Sequence, residues 1–325
     1  MSLVMDVSVV VPTYRRLDLL RRCLAALRAQ ELDRGRYEIV VADDAADDGV
    51  RRAVEALAVA TPDGPALRYV PVHGAHGPAA ARNAGWRAAQ SEIIAFTDDD
   101  CVPAPRWLAA GLDALAADVD GAYGRIVVPL PDRPTDYERD AAGLERGEGV
   151  TANCFYRRSA LAAVGGFDER FTAAWREDAD LFFTLLERGG RVVAVPDAIV
   201  VHPVRPAPWG VSLRQQRKSL FDALLSKKHP SLYRQRIQGP QWRYYRIAGT
   251  MLAAIAGAAL GRRRLALGAG IAWATLSASF CAMRLHGTSR APAHLAEMTL
   301  TSALIPLVSL FWRVRGALRY RVVFL

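Results

Sequence analysis

Cysteine is scarce in this chain, which contains four in 325 residues. The four, at positions 23, 101, 154 and 281, show no metal-ligand spacing and no sign of a disulfide framework. This absence fits a reducing compartment. The opening stretch, Met1 to Asp6, lacks a basic start and a cleavage site, so we expect no signal peptide.

The common phosphate-binding loops are also missing. No G-x-x-x-x-G-K-[ST] sequence occurs, which disfavours a P-loop enzyme, and no G-x-G-x-x-G follows the first apolar run. A nucleotide site built on either loop is therefore not expected.

Acidic residues are nearly absent from the last quarter of the chain. From Trp242 onward there are eleven arginines and one acid, Glu297, which gives a charge of +10. The preceding 241 residues carry 31 basic and 32 acidic residues, so they are close to neutral. Together with its apolar runs, this asymmetry indicates an anionic surface as the partner of the tail, a membrane rather than nucleic acid.

Apolar runs alternate with helical patterns through the first hundred residues. The helix after the first run, for example, begins near Asp18 and repeats apolar residues at helical spacing. Alternation with short links predicts a parallel, Rossmann-like α/β sheet. The predicted strands are Val7–Val11, Tyr37–Ala42, Leu67–Val70 and Ile93–Phe96.

An acidic stretch, Thr97-Asp98-Asp99-Asp100, directly follows the fourth run. Three adjacent carboxylates repel one another, and a divalent cation among them relieves that repulsion. An isolated Asp-Asp-Asp is also compatible with a solvated turn. Ligands of open α/β sheets bind at the carboxyl ends of strands, which favours a Mg²⁺ or Mn²⁺ site here.

Four motifs resemble those of family 2 glycosyltransferases with the GT-A fold, in the family's order and spacing. They are Val9–Tyr14 followed by Arg15-Arg16, Glu38–Asp44, Ala81–Gly85 and Thr97–Asp100, the last resembling a metal-binding Asp-x-Asp motif. The resemblance covers about residues 7 to 220 and implies a mixed sheet flanked by helices. One departure is Ala45-Ala46-Asp47-Asp48-Gly49, where the family usually has Gly-Ser after its Asp-Asp pair.

The resemblance also implies roles for individual residues. Asp178, in Glu177-Asp178, matches the catalytic base, although acids in a first helical turn also serve as caps. His202 matches a metal or diphosphate contact, although a lone histidine at a strand end is often structural. The implied sets are Pro12, Thr13, Tyr14, Asp44, Arg82 and Asp99 for the nucleotide; Asp98, Asp100 and His202 for the metal; and Asn153, Trp175 and Glu177 for the acceptor side.

These roles describe a metal-dependent, inverting glycosyltransferase. Gln215–Ser219 lacks the Arg-Trp of the processive synthases' Gln-x-x-Arg-Trp motif, which favours addition of a single sugar. Uridine is the expected base of the nucleotide-sugar, and a lipid-linked or cell-envelope glycan is the expected acceptor. The alternatives are a sugar-phosphate nucleotidyltransferase and a non-catalytic, membrane-anchored protein that binds sugar nucleotides.

We expect a catalytic domain over residues 1–240 and an apolar, helical, membrane-associated tail over 241–325. The tail has three apolar stretches, 247–261, 265–283 and 298–312, of which the second is closest to the length of a span. We predict that the first lies in the interface, the second crosses and the third returns, with the domain on the cytoplasmic face. The alternative is a helical hairpin that packs on the domain or forms a dimer.

The polar segment from Asp132 to Gly149 carries one proline and three glycines. It reads either as a mobile loop over the site or as a solvated connection.

Overall fold

A computed structural model describes residues 5–237 and 241–323. The chain divides into two compact units. The first comprises Met1–Pro129 and Gly143–Pro203, and the second comprises Leu130–Ala142 and Val204–Leu325. The boundary therefore differs from the one predicted at residue 240, because residues 204–237 pack with the tail helices.

In its described residues, 5–129 and 143–203, the first unit contains eight strands and six of the α-helices. Its strands are β1 Val7–Thr13, β2 Tyr37–Asp43, β3 Ala66–Pro71, β4 Ile93–Phe96, β5 Val102–Pro103, β6 Gly121–Val127, β7 Cys154–Arg157 and β8 Val192–Val201. Its helices are α1 Leu17–Arg28, α2 Asp48–Ala60, α3 Pro78–Ala88, α4 Trp107–Asp113, α6 Arg158–Val164 and α7 Glu177–Glu187.

The eight strands form one mixed sheet in the order β3-β2-β1-β4-β7-β6-β8-β5. The first four in this order run parallel, and β7 pairs antiparallel with both β4 and β6. All four strands predicted in the first hundred residues are present, and the architecture confirms the expected GT-A fold.

Burial on both faces explains why β1 and β4 read as continuous apolar runs. Val9, Val10 and Val11 of β1 are fully buried, and so are Ile94 and Phe96 of β4. Central parallel strands carry helices on both faces, so no position needs to be polar. The acidic stretch after β4 therefore starts from a rigid, fully packed strand.

The last long apolar run of the first unit, Val192–Val201, forms the single strand β8. Its pairing with β6 shifts register between Gly124 and Arg125, which accommodates the proline inside the run. His202 follows this strand, and its backbone N–H donates to the carbonyl of Val127 across 2.8 Å.

The second unit is helical in the part that the structure describes. Its helices are α5 Asp136–Ala141, α8 Val211–Gln215, α9 Ser219–Lys228, α10 Pro230–Leu232, α11 Trp242–Ala259, α12 Arg263–Leu285 and α13 Pro292–Tyr320. Of these, α12 and α13 are long and apolar enough to cross a membrane.

Part of the predicted polar loop is the short helix α5. Thr135 and Glu138 form a capping box at its start, which satisfies two backbone N–H groups that the helix leaves open. Asp136 accepts hydrogen bonds from Nε and Nη2 of the buried Arg284 in α12, at 3.0 and 2.8 Å. An ion pair and a cap therefore hold residues 135–141 as ordered structure.

The first two tail helices, α11 and α12, pack against each other. α11 and α12 pack antiparallel, with Tyr244 against Phe280 at one end and Gly257 against Ala266 at the other. Because the two helices contact each other near both ends, this packing does not favour a first stretch that lies flat in an interface beside a second that crosses. The membrane topology itself stays a prediction, because hydropathy reveals the length of a helix but not its packing partner.

Candidate active site

The first unit brings three polar strand ends to one edge of its sheet. In the β1–β2 register Thr13 lies opposite Asp43, and the N–H of Asp44 donates to the carbonyl of Thr13 across 2.9 Å. On the other side of β1, the N–H of Thr97 donates to the carbonyl of Val10. The parallel pairing therefore places the ends of β2, β1 and β4 side by side, as the sequence predicts.

Two of the three adjacent aspartates face a histidine. One ligand atom from each of Asp98, Asp100, Cys101 and His202 lies within 4.8 Å of the others. His202 Nε2 is 3.6 Å from Asp100 Oδ1. The carboxylates and the imidazole are suitable donors for Mg²⁺ or Mn²⁺, so the three predicted metal residues are brought together.

Cys101 is the one member of this cluster that the sequence did not suggest. Burial, followed by the charges of Asp98 and Asp100, raises the pKa of its thiol well above the usual value. A protonated thiol is a poor ligand for a hard cation. Mg²⁺ and Mn²⁺ favour carboxylate oxygens over sulfur, so Asp98 and Asp100 suit these cations better than Cys101 does.

Asp99 points away from the cluster, toward the end of β1. It accepts a hydrogen bond from Thr13 Oγ1 at 2.8 Å and pairs with Arg16 Nη1 at 3.3 Å. Desolvation raises its pKa to about 6, although Arg16 and Thr13 act in the opposite direction. The Tyr14 side chain is half-exposed at the same strand end. Arg16 is thus a further site residue, detectable only from its position after strand one.

Asp44 holds the start of α3. Its carboxylate accepts from the N–H of Gly77 at 3.0 and 3.1 Å and lies 3.1 Å from His76 Nδ1. Gly77 has φ +115°, and a Cβ there would lie 2.9 Å from the carbonyl oxygen of Thr172. Both the backbone angle and the close approach therefore require glycine at this position.

Arg82 connects the acidic stretch to the first turn of α7. From α3, its Nη2 donates to Asp98 Oδ1 at 2.8 Å and its Nη1 donates to Glu177 Oε1 at 2.9 Å. Its side chain is only 3% exposed. Arg82 Nε and Glu177 Oε2 are buried without a hydrogen-bond partner among the described residues. The pairing accounts for the burial of Glu177 and favours a positioning role for it over the predicted acceptor contact.

Asp178 follows Glu177 and is half-buried. Its Oδ1 accepts from the N–H of Ala179 at 2.7 Å. Desolvation raises the pKa of Asp178, Arg82 and Arg176 lower it, and the nearby charge of Asp98 raises it. Desolvation also raises the pKa of Glu177, to about 7. The candidate base and the acidic cluster therefore lie close enough to influence each other's ionisation.

The two remaining acceptor-side residues lie in different surroundings. Trp175 is partly exposed, and the guanidinium of Arg176 lies 4.5 Å from its ring centre. Asn153 is buried, accepts from Trp107 Nε1 at 2.8 Å and donates to the carbonyls of Arg125 and Ala198. These bonds tie β6, β8 and α4 together, so Asn153 is a core residue whose placement does not support acceptor binding.

Comparison with known proteins identifies the family of this chain. The family model "Glycosyl transferase family 2" matches residues 8–171, and "Glycosyl transferase family group 2" matches residues 141–314. Glycosyltransferase AglE of Haloferax volcanii is 27% identical over 65% of this chain and 70% of its own length. Succinoglycan biosynthesis protein ExoM of Rhizobium meliloti is 30% identical over 62% of this chain and 67% of its own.

Other relatives are longer. The alignment with the pre-mycofactocin glycosyltransferase of Mycobacterium tuberculosis, at 30% identity, spans 62% of this chain but 43% of that protein. Among solved structures, the mannosyltransferase PcManGT of Pyrobaculum calidifontis superposes with a TM-score of 0.55 and 23% identity, over 98% of this chain and 87% of its own. The fold, the motifs and the family model agree: the chain belongs to glycosyl transferase family 2 and is a glycosyltransferase.

Proposed function

We propose that this glycosyltransferase moves a single sugar from a nucleotide-sugar to an acceptor hydroxyl, with inversion and with a divalent cation. The observation that carries the proposal is the bridge through Arg82. It links the candidate metal ligands Asp98, Asp100 and His202 to the helix that begins with Glu177-Asp178. A leaving-group site and a candidate base are thereby held on one scaffold.

The polar strand ends suit the nucleotide. Tyr14 offers an exposed ring and Thr13 a hydroxyl next to Asp99, while Asp44 supplies a carboxylate beside the N-terminus of α3. Arg82 reaches Asp98 from α3 and brings positive charge close to where a diphosphate would lie beside the cation cluster. A bound cation would neutralise charge on the departing nucleoside diphosphate.

Asp178 is the general base in this proposal. Its carboxylate removes the proton of the acceptor hydroxyl while that oxygen bonds to the anomeric carbon. The bond from that carbon to the diphosphate oxygen breaks on the opposite face, so the anomeric centre inverts. Positioned bases of this kind contribute ~10²–10⁴-fold in rate.

The chemistry of the site and the relatives indicate which donors and acceptors to test first. UDP-sugars are the expected donors, and GDP- and dTDP-sugars belong in the same trial because PcManGT is in complex with GDP-Man and Mn²⁺. Because ExoM is a succinoglycan biosynthesis protein, an envelope or lipid-linked glycan is the first acceptor to test. The apolar, arginine-rich tail attaches the enzyme to the cytoplasmic face of the membrane, where sugar nucleotides are made.

Product analysis tests this proposal. The enzyme is incubated with each nucleotide-sugar and Mn²⁺ or Mg²⁺, with and without chelator, and the released nucleotide is identified. Metal-dependent release of nucleoside diphosphate supports glycosyl transfer. Pyrophosphate from a sugar phosphate and a nucleoside triphosphate would instead identify a nucleotidyltransferase, and binding without turnover would identify a sugar-nucleotide-binding protein.

A further inference from the structure

The apolar stretches of α11 and α12 carry no charged side chain, yet many of their residues are exposed. Residues 247–261 and 265–283 contain no Asp, Glu, Lys or Arg. Even so, Ile255 is 55% exposed, Leu260 70% and Ile271 68%. Helices that are apolar all round are normally buried in a core or in lipid, and within this unit these stretches are covered on one side only.

The two helices form one hairpin. Gly261 adopts φ +64° at the turn, and Gly257 approaches the backbone of Ala266 so closely that a Cβ would lie 2.7 Å from its nitrogen. At the other end, the rings of Tyr244 and Phe280 are 5.4 Å apart. Contact at both ends means that the helices enter any apolar medium together and to the same depth.

Arginines lie at both ends of the apolar stretches. Arg262, Arg263 and Arg264 are exposed at the turn, and Arg243 and Arg246 are exposed near the opposite end. At 1.5 Å per residue, the uncharged stretches are about 22 and 28 Å long. The hydrocarbon core of a bilayer is about 30 Å thick, and long arginine side chains reach toward its headgroups.

The third apolar helix, α13, packs with α11 and α12 through Ile247, Phe280 and Ile305, but it is also held along a charged segment. At one end of α13, Glu297 Oε1 accepts from the N–H of Gly210 at 2.7 Å, and at the other Lys227 Nζ donates to the carbonyl of Tyr320 at 2.7 Å. Between them, Gly316 packs on the backbone of Leu220 in α9. α13 thus lies along residues 210–228, a segment with five Lys or Arg residues that opposes immersion in hydrocarbon.

We propose that α11 and α12 cross a phospholipid bilayer as a pair, with Arg262–Arg264 among the headgroup phosphates of the far leaflet, whereas α13 stays on the near side. Eight of the eleven tail arginines then remain on the side of the membrane where the catalytic unit lies. This inference rests on the proposed membrane attachment and replaces a crossing by the second and third stretches.

Cysteine labelling of the full-length chain tests this topology. Cys281 is replaced by serine, since the other three cysteines are buried, and Leu260→Cys or Leu318→Cys is added. Both leucines are exposed, one beside the turn and the other in α13. A membrane-impermeant maleimide is then applied to right-side-out and to inverted bacterial membrane vesicles, after a carbonate wash. We expect the two cysteines to react from opposite faces of the membrane.

Each other outcome overturns the inference. Labelling of both cysteines from the same face would place the hairpin flat on one leaflet. A Leu260→Cys thiol that reacts only in detergent would place the turn inside the hydrocarbon. Release of the protein by carbonate would exclude a crossing, and recovery in the soluble fraction without carbonate would exclude membrane attachment as well. A disulfide-linked dimer of soluble Leu260→Cys protein would show that a second copy covers the apolar helices.

Discussion

Arg82 Nη1 lies 2.9 Å from Glu177 Oε1, and this ion pair joins residues 95 positions apart in the chain. Both side chains are almost fully buried, and each has one polar atom without a hydrogen-bond partner among the described residues. Such a pair contributes little by its own attraction, but it becomes costly when one partner is removed. We therefore regard it as the element that holds the first turn of α7 against the acidic stretch.

Replacing one partner should destabilise the protein far more than replacing both. Arg82→Met leaves Glu177 as an uncompensated buried charge, so we expect a loss of about 3–5 kcal/mol in the free energy of unfolding. The double variant Arg82→Met/Glu177→Leu should recover most of this loss. Chemical denaturation of the three proteins provides the measurement.

Arg87→Met is the matched control. Arg87 lies on the same helix, but its side chain is exposed and 3.6 Å from Glu169. Surface pairs of this kind contribute about 0–1 kcal/mol. Equal losses for Arg82→Met and Arg87→Met would show that the buried pair has no special structural role.

The cation cluster predicts linked binding of metal and donor. At a donor concentration of about 100 times Kd, bound ligand adds about 2.7 kcal/mol of stability. We expect Mn²⁺ to be required for this stabilisation in the wild type, and Asp98→Asn/Asp100→Asn to abolish it. Thermal unfolding with and without Mn²⁺ measures the effect, and the exposed Asp113→Asn variant should behave like the wild type. Unchanged Mn²⁺-dependent stabilisation of the double variant would show that the metal binds at a site without Asp98 and Asp100.

The pH dependence of the reaction should report on Asp178. Only the deprotonated carboxylate accepts a proton, so kcat/KM falls as the pH drops through the pKa of this group. Because burial raises that pKa, the midpoint of the acid limb should lie above the ordinary aspartate value of about 4. Arg176 lowers the pKa of Asp178, so Arg176→Gln should move the midpoint to still higher pH.

Arg188→Gln, at the other end of α7, is the control for this charge effect. Its acid limb should coincide with that of the wild type. A midpoint that stays constant in Arg176→Gln, or moves to lower pH, would show that Asp178 is not the group whose ionisation limits the reaction.

Alanine substitutions at two glycines with positive φ distinguish the cost of backbone strain from the cost of steric contact. Gly77 and Gly74 have φ +115° and +86°, but only at Gly77 would an added Cβ meet backbone, that of Thr172. A left-handed conformation costs alanine about 1–2 kcal/mol, which Gly74→Ala alone should show. Gly77→Ala should lose more stability and also weaken donor binding, since Asp44 holds the N–H of this residue. Equal losses at the two positions would contradict a tight approach to Thr172.

The strands and the acidic cluster were predictable because they depend on local patterns. Val9–Val11 and Ile93–Phe96 are continuous apolar runs, and Asp98 and Asp100 follow the second run directly. The family resemblance supplied Asp178 and His202, which the structure places near the same sheet edge.

Long-range partners were not predictable. Nothing in the spacing showed that Arg82 bridges Asp98 and Glu177, or that Asn153 is enclosed by Trp107 and two backbone carbonyls. Periodicity shows which face of an element is buried but not which element covers it. For the same reason, hydropathy located the three tail helices and missed the pairing of α11 with α12.

The central claim is that Asp178 removes the acceptor proton while the carboxylate cluster serves the leaving nucleotide. The most direct measurement compares transfer rate and Mn²⁺-dependent donor binding in Asp178→Asn and in the surface control Glu187→Gln on the same helix. We predict that Asp178→Asn binds donor like the wild type but transfers sugar at least ~10²-fold more slowly, while Glu187→Gln retains both properties. Wild-type transfer by Asp178→Asn would contradict the account.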